Sequence, residues 1–150
     1  MTELDDIYNL DILERAANIS HTDRLAEPDA VAVAHSKLCG STVTVDIVMD
    51  GDRVADYGQK VEACLLGQAA AGIVAENIVG KTGAELRRVG EEMRAMLKEG
   101  GASPTGDWAA LSVLQPVRDY PGRHASTLLV FDAVNDAIAK ARSVETMSSR

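Results

Sequence analysis

Aromatic side chains are scarce: one Trp, one Phe and three Tyr among 150 residues. So few flat rings (Trp108, Phe131, Tyr8, Tyr57 and Tyr120) poorly supply the stacking platforms on which bases and sugars are read, and they leave the core to aliphatic and small residues. Basic clusters are lacking too. Fifteen Lys and Arg stand against twenty-three Asp and Glu, for a formal charge of -8, and no basic run exceeds Arg87-Arg88. A phosphate backbone needs a dense basic face, so nucleic acid is not an expected partner. Long apolar runs are missing as well. The weakly polar stretch from Ala63 to Ala75 is broken by Gln68 and falls short of the roughly 20 residues that span a bilayer. The acidic start Met1-Thr2-Glu3-Leu4-Asp5-Asp6 has no apolar run behind it, which excludes a secretory signal on its flank chemistry. The expectation is a soluble, cytoplasmic protein with no membrane partner.

Cysteine occurs twice, at Cys39 and Cys64. Two thiols in a chain without an export signal argue against a disulfide scaffold, because the cytoplasm keeps thiols reduced. Gly80-Lys81-Thr82-Gly83 lacks the upstream glycine of a phosphate loop and is explained by a helix stop followed by an N-cap. Ser112 and Ser126 lack the flanking glycines of a nucleophile elbow, so hydrolase chemistry is poorly supported.

What is present is one domain's worth of chain, 46% apolar, long enough for a real core and too short to expect two. Tyr8, Ile12, Leu13, Ala16 and Ile19 recur at helical spacing and predict a first amphipathic helix. After Pro28, Val31 and Val33 alternate toward Lys37, and Val43, Val45, Ile47 and Met49 share one face of a second strand from Thr42 to Met49. Asp50-Gly51-Asp52 predicts a turn into a third, antiparallel strand from Arg53 to about Val61. Cys64 to Val79 reads as a buried helix closed by Gly80. Thr82 with Glu85 forms a capping box for a helix running to Gly100-Gly101. A short apolar helix or turn is expected around Trp108, Leu111, Val113 and Leu114, with Pro116 and Pro121 bracketing an irregular segment. The last helix is expected from about Arg123 to Arg142, and Ser143 to Arg150 as a disordered tail. Strands followed by helices, without βαβ alternation, predict an α+β fold: a three-stranded antiparallel sheet, helices packed on one face, and a long C-terminal helix. The single domain is expected over residues 1–142.

Cys39 ends the loop between the first two strands, beside Gly40, whose freedom gives an approaching ligand room. Cys64 falls at the first turn of a helix, where unpaired amides and the helix dipole favour a thiolate, the form that binds metal or attacks sulfur. Taken singly, each cysteine has a small buried hydrophobe as its plainer reading, a common fate of free thiols. His35 lies on the first strand near Cys39, and a solvent-facing ring is its plainer reading. His21 sits in a polar loop with no evident partner.

Leu38-Cys39-Gly40-Ser41 at a strand junction, Val61-Glu62-Ala63-Cys64 ahead of an Ala/Gly-rich helix, and Arg123-His124-Ala125-Ser126 before Leu128-Leu129-Val130-Phe131-Asp132-Ala133-Val134 form a frame that resembles the iron-sulfur cluster assembly scaffold family, the IscU-like or NifU N-terminal domain. In that family a Cys-Gly-Asp supplies the first ligand, a cysteine opening the small-residue helix the second, and a cysteine starting the C-terminal helix the third. Here Ser41 stands where the aspartate would be, Ser126 at the third cysteine, and Ala125 where some members carry histidine. The resemblance implies Cys39 and Cys64 as ligands of iron or of an iron-sulfur cluster. Ser126 joins them in the cluster-binding frame, and His124 could add a nitrogen. Arg123 occupies a place where related scaffolds carry a basic side chain. Asp119-Tyr120-Pro121-Gly122-Arg123 replaces the family's Leu-Pro-Pro-Val-Lys chaperone-recognition segment.

A closed site usually wants four donors, and two cysteines cannot build an all-thiolate site alone. Three readings stay open. The first is a cluster-assembly scaffold or carrier, a non-enzymatic partner of a cysteine desulfurase and of cluster-accepting proteins, with a homodimer as one way to gather four thiolates. The second is a degenerate paralogue kept as an interaction or regulatory module. The third is a mononuclear zinc site completed by His124 or a carboxylate.

Overall fold

The structure, a computed structural model, describes residues 10–17, 19, 22–36 and 40–148, the last six of these by backbone alone. Four helices and three strands follow in the order α1 (Leu10–Ala17), β1 (Ala30–His35), β2 (Thr42–Asp50), β3 (Arg53–Glu62), α2 (Leu65–Asn77), α3 (Gly83–Glu99) and α4 (His124–Ser148). A 3-10 segment, Gly106–Asp119, and a 3-10 turn, Pro121–Arg123, lead into α4. The sheet is antiparallel throughout, in the order β1-β2-β3. This is the α+β architecture expected.

Period two on β2 decides the faces of the sheet. Val43, Val45 and Ile47 are fully buried, and cross-strand pairing sets Val45 beside Gln59 and Ile47 beside Tyr57 on the same face. That face is covered by α4 over β1 and β2 and by α2 over β3. Its two polar groups are satisfied in series: Tyr57 Oη donates to Gln59 Oε1 at 2.8 Å, and Gln59 Nε2 donates to the Ala71 carbonyl of α2 at 3.1 Å. Burial raises the Tyr57 phenol far above its ordinary range, with the nearby Asp46 charge adding to it, so the hydroxyl stays a donor.

The other face carries one buried charge. Asp46 is fully covered, and Arg24 meets it with two bonds, Nε to Oδ2 at 2.5 Å and Nη2 to Oδ1 at 2.8 Å, while the Leu25 amide donates to Oδ2 at 3.1 Å. Burial alone would raise this carboxyl. The guanidinium and the amide outweigh it and hold the group below the usual carboxylate range. The pair ties the segment before β1 to the sheet.

Several segments depart from expectation. The 3-10 segment is longer than the short helix or turn predicted, and it takes in Pro116. Trp108, Leu111, Leu114 and Val117 are buried at a spacing of three, which lines up one stripe of a 3-10 helix and not of an α-helix. Trp108 Nε1 donates to Glu85 Oε2 at 2.8 Å and Lys81 pairs with Asp107, so both anchors sit at the start of the segment. The last helix continues through Ser148, where Arg142 was the expected end and Ser143 onward an expected disordered tail. No Gly or Pro interrupts 143–148, so nothing local stops the helix. Tyr8 and His21 lie outside the described residues. Among the described residues no helix is long and apolar enough to cross a membrane.

The Arg24–Asp46 pair generates a pH prediction. A carboxyl held low in the folded state adds stability above its unfolded pKa and loses it as pH falls through the folded value. Arg24→Met is expected to lower the urea midpoint at neutral pH, with the gap to the parent chain closing as pH falls below the usual carboxylate range and Asp46 protonates. Urea melts across that range check it; a gap of constant size would contradict the assignment.

Candidate functional site

Cys64 is the N-cap of α2, in extended backbone geometry (φ -64, ψ 170). Extended φ/ψ at this position turns the chain from the end of β3 into the helix, and the Cys64 carbonyl accepts the first helical bond from Gln68 N at 2.9 Å. Its side chain makes no cap bond. The thiol turns instead toward α4: Cys64 Sγ lies 3.3 Å from Ser126 Oγ, donating to it. Ser126 in turn donates to the Arg123 carbonyl at 3.2 Å. On the other side, the Cys64 amide donates to Ser41 Oγ at 3.4 Å.

Three chain segments thus meet at one residue, Cys64. Ser41 precedes β2, Cys64 links β3 to α2, and Ser126 sits in the first turn of α4. Both hydroxyls are buried, Ser41 at 3% and Ser126 at 2% exposure, while Cys64 is half-buried. The approach depends on Gly67. A Cβ there would stand 2.8 Å from Ala63 Cβ and 3.0 Å from the Ser126 carbonyl oxygen, so the first turns of α2 and α4 reach this separation only because position 67 carries no side chain.

The other residues singled out in the sequence fall as follows. Cys39 lies outside the described residues. His124 is buried, and its Nε2–H donates to the carbonyls of Val117 at 3.0 Å and Arg118 at 3.1 Å. Used in this way, Nε2 splices the 3-10 segment to the start of α4 and is unavailable to a metal. Only Nδ1 remains for one. His35 is exposed, with Nδ1 2.9 Å from Thr42 Oγ1, and Arg123 is exposed at the helix start. Among the described residues no group of three or more His, Cys, Asp and Glu side chains is gathered to hold a metal ion. The described part of the site therefore offers one thiol bonded to the Ser126 hydroxyl, with the Ser41 hydroxyl on the backbone amide of the same cysteine.

Ser41 is the residue whose part in the site the sequence concealed. Its place in the family frame was legible, but not its burial or its bond to the Cys64 amide. The available signal was that a small hydroxyl follows Gly40 at the strand junction, where a buried acceptor can serve an amide from another segment.

No family model matches the chain. It is 51% identical to the nitrogen-fixing NifU-like protein (N-terminal) from Brucella abortus, whose crystal structure superposes with a TM-score of 0.93 over 95% of this chain and 99% of that one. A protein assigned as an iron-sulfur cluster assembly scaffold for the SUF system of Fervidobacterium islandicum superposes at 0.81, with 22% identity over 89% of this chain and 98% of that one. The iron-sulfur cluster assembly scaffold protein IscU of Thermotoga maritima is 22% identical over 89% of this chain and 94% of its own length.

The contact between Cys64 and Ser126 can be tested chemically. In a Cys39→Ser background, Ser126→Cys is expected to set two sulfurs close enough for mild oxidation to close a disulfide. Thiol titration should then fall from two per chain to near zero, with the chain still monomeric on a non-reducing gel. Two titratable thiols after oxidation would show that the first turns of α2 and α4 do not meet in this register.

Proposed function

The chain belongs to the NifU-like and IscU-like family of iron-sulfur cluster assembly scaffold proteins, and from that premise we propose that it is a cytoplasmic scaffold or carrier holding iron or a transient cluster through Cys39 and Cys64. In this reading it is not an enzyme. It takes sulfur from a cysteine desulfurase, in part as a persulfide on a thiolate, and passes its cargo to accepting proteins. The observation that carries the reading is the 3.3 Å approach of Cys64 Sγ to Ser126 Oγ. It brings the second cysteine of the family frame to the place where the third would stand, with Ser41, at the aspartate position, on the amide side of the same residue.

The chemistry follows from the donors. A thiolate is a strong ligand for iron and a nucleophile toward sulfur, whereas a neutral serine hydroxyl is a weak ligand. Ser126 already spends its proton on the Arg123 carbonyl, so it presents lone pairs to whatever replaces the Cys64 proton. Cargo held by two thiolates and a weak oxygen donor is loosely held, which suits transfer more than storage. Two thiolates from each of two copies would complete a bridged cluster in a homodimer.

The test is anaerobic purification followed by supply of iron and desulfurase-generated sulfide, with iron, sulfide and visible absorption measured for the parent chain, Cys39→Ser and Cys64→Ser. Cluster absorption in the parent that falls at least about tenfold in either variant is expected, since loss of even a supporting group at a metal site has effects of that order. No iron in the parent, or equal iron in all three, would instead favour an interaction module that keeps the fold without the chemistry.

A further inference from the structure

The start of α2 lacks the capping that its own first turn would ordinarily supply. In a capping box the third residue of the helix is Glu or Gln, whose side chain reaches back to the N-cap amide. Here that residue is Gly67, and it has to be bare: a Cβ would stand 2.8 Å from Ala63 Cβ and 3.0 Å from the Ser126 carbonyl oxygen. The Cys64 side chain makes no cap bond either, since its thiol is turned to Ser126. Two other side chains take over. Ser41, from the segment before β2, accepts the Cys64 amide at 3.4 Å, and Gln68, one position beyond Gly67, sends Nε2–H back to the Ala63 carbonyl at 2.9 Å.

The Ala63 carbonyl and the Cys64 amide are the two ends of one planar peptide unit. That unit is therefore held from both ends, by a side chain of α2 and by one from the start of β2. The helix that follows is enclosed by α1, α4, β3 and the 3-10 segment. With the peptide plane before Cys64 and the helix after it both fixed, its two dihedrals (φ -64, ψ 170) have little room to turn, and the direction of its Cα–Cβ bond is set. We propose that Gln68 and Ser41 are positioning residues for the Cys64 thiol: they clamp the Ala63–Cys64 peptide so that the sulfur stays at Ser126. Loss of either bond frees the plane, the N-cap dihedrals loosen, and the thiol gains access to solvent. The clamp stands on the two bonds alone; its bearing on cargo rests on the scaffold reading.

The experiment follows alkylation by iodoacetamide across pH in the Cys39→Ser chain, where Cys64 is the one remaining thiol, and in the same chain with Gln68→Met, Ser41→Ala or both. Methionine matches glutamine in length and lacks the donor. Tyr57→Phe, which breaks the Tyr57–Gln59 bond inside the core, controls for stability lost elsewhere, and circular dichroism confirms each fold. Where Ser41→Ala does not fold, the half-buried Gln68→Met decides alone. In the high-pH plateau, where the thiol is fully ionised, the rate reads access to the sulfur. It is expected to rise about threefold to tenfold in each single clamp variant, the order of one hydrogen bond's net contribution, and to stay at the parent level in Tyr57→Phe. In the double variant it should rise by less than the product, since the two bonds hold one plane. A plateau unmoved in either single variant, rises that multiply, an equal rise in Tyr57→Phe, or a change confined to the midpoint of the pH profile overturns the clamp. Iron and sulfide are then supplied to the parent chain and to Gln68→Met with both cysteines in place. Less iron retained by the variant supports the clamp as part of the cargo site, and equal iron overturns that part. No iron in the parent, beside an alkylation difference that persists, overturns the scaffold reading while the clamp stands.

Discussion

The described structure depends on the burial of α2. Leu66, Ala69, Ala70, Ala71, Ile73, Val74 and Ala75 are buried together with Gly67 and Gly72, so the helix has almost no wet face and must find packing on several sides. It meets α1, α4, the 3-10 segment and β3. Small residues make this feasible: a Cβ at position 72 would stand 2.9 Å from the Arg15 carbonyl oxygen of α1, as one at position 67 would crowd Ser126 of α4. A helix so enclosed has one axial position and one rotation. Its N-cap, Cys64, is placed accordingly, against Ser126 on one side and Ser41 on the other.

The scarcity of aromatics follows the same logic. With the core filled by Ala, Val, Leu, Ile and Met, elements approach closely, and the large side chains serve as anchors at particular places. Trp108 holds the 3-10 segment to α3 through Glu85, and Tyr57 closes the hydrogen-bond series that joins β3 to α2. The charge that is buried, Asp46, is met by Arg24 and a backbone amide. Each buried polar group is thus satisfied while contributing to the position of an element, as close packing around a polar group demands.

Most of the fold was legible because its signals are local. Alternation over Thr42 to Met49 located β2, Asp50-Gly51-Asp52 the return to β3, and Thr82 with Glu85 the start of α3, where Thr82 Oγ1 accepts from Glu85 N at 3.1 Å. The 3-10 segment was hidden by a period of three that resembles a fragment of helical period over short windows. The far end of α4 was hidden because the polar residues after Arg142 suggest a tail while no residue there forbids a helix. In the site, the family frame put Cys64 at the start of α2 and Ser126 at the start of α4, where the structure has them, since residues at element ends are fixed by topology. The bond from Cys64 N to Ser41 and the capture of His124 Nε2 by two carbonyls depend on tertiary geometry between separate segments, which no spacing along the chain encodes.

The scaffold account rests on Cys64 serving as a donor in a site shared with Ser126, and the most direct measurement is a crystal structure of the anaerobically loaded protein with anomalous diffraction recorded at the iron edge. The account predicts an iron peak within bonding distance of Cys64 Sγ, in the corner bounded by Ser41 and Ser126. A loaded crystal with its iron elsewhere, and with the Cys64 thiol still bonded to Ser126, would contradict it.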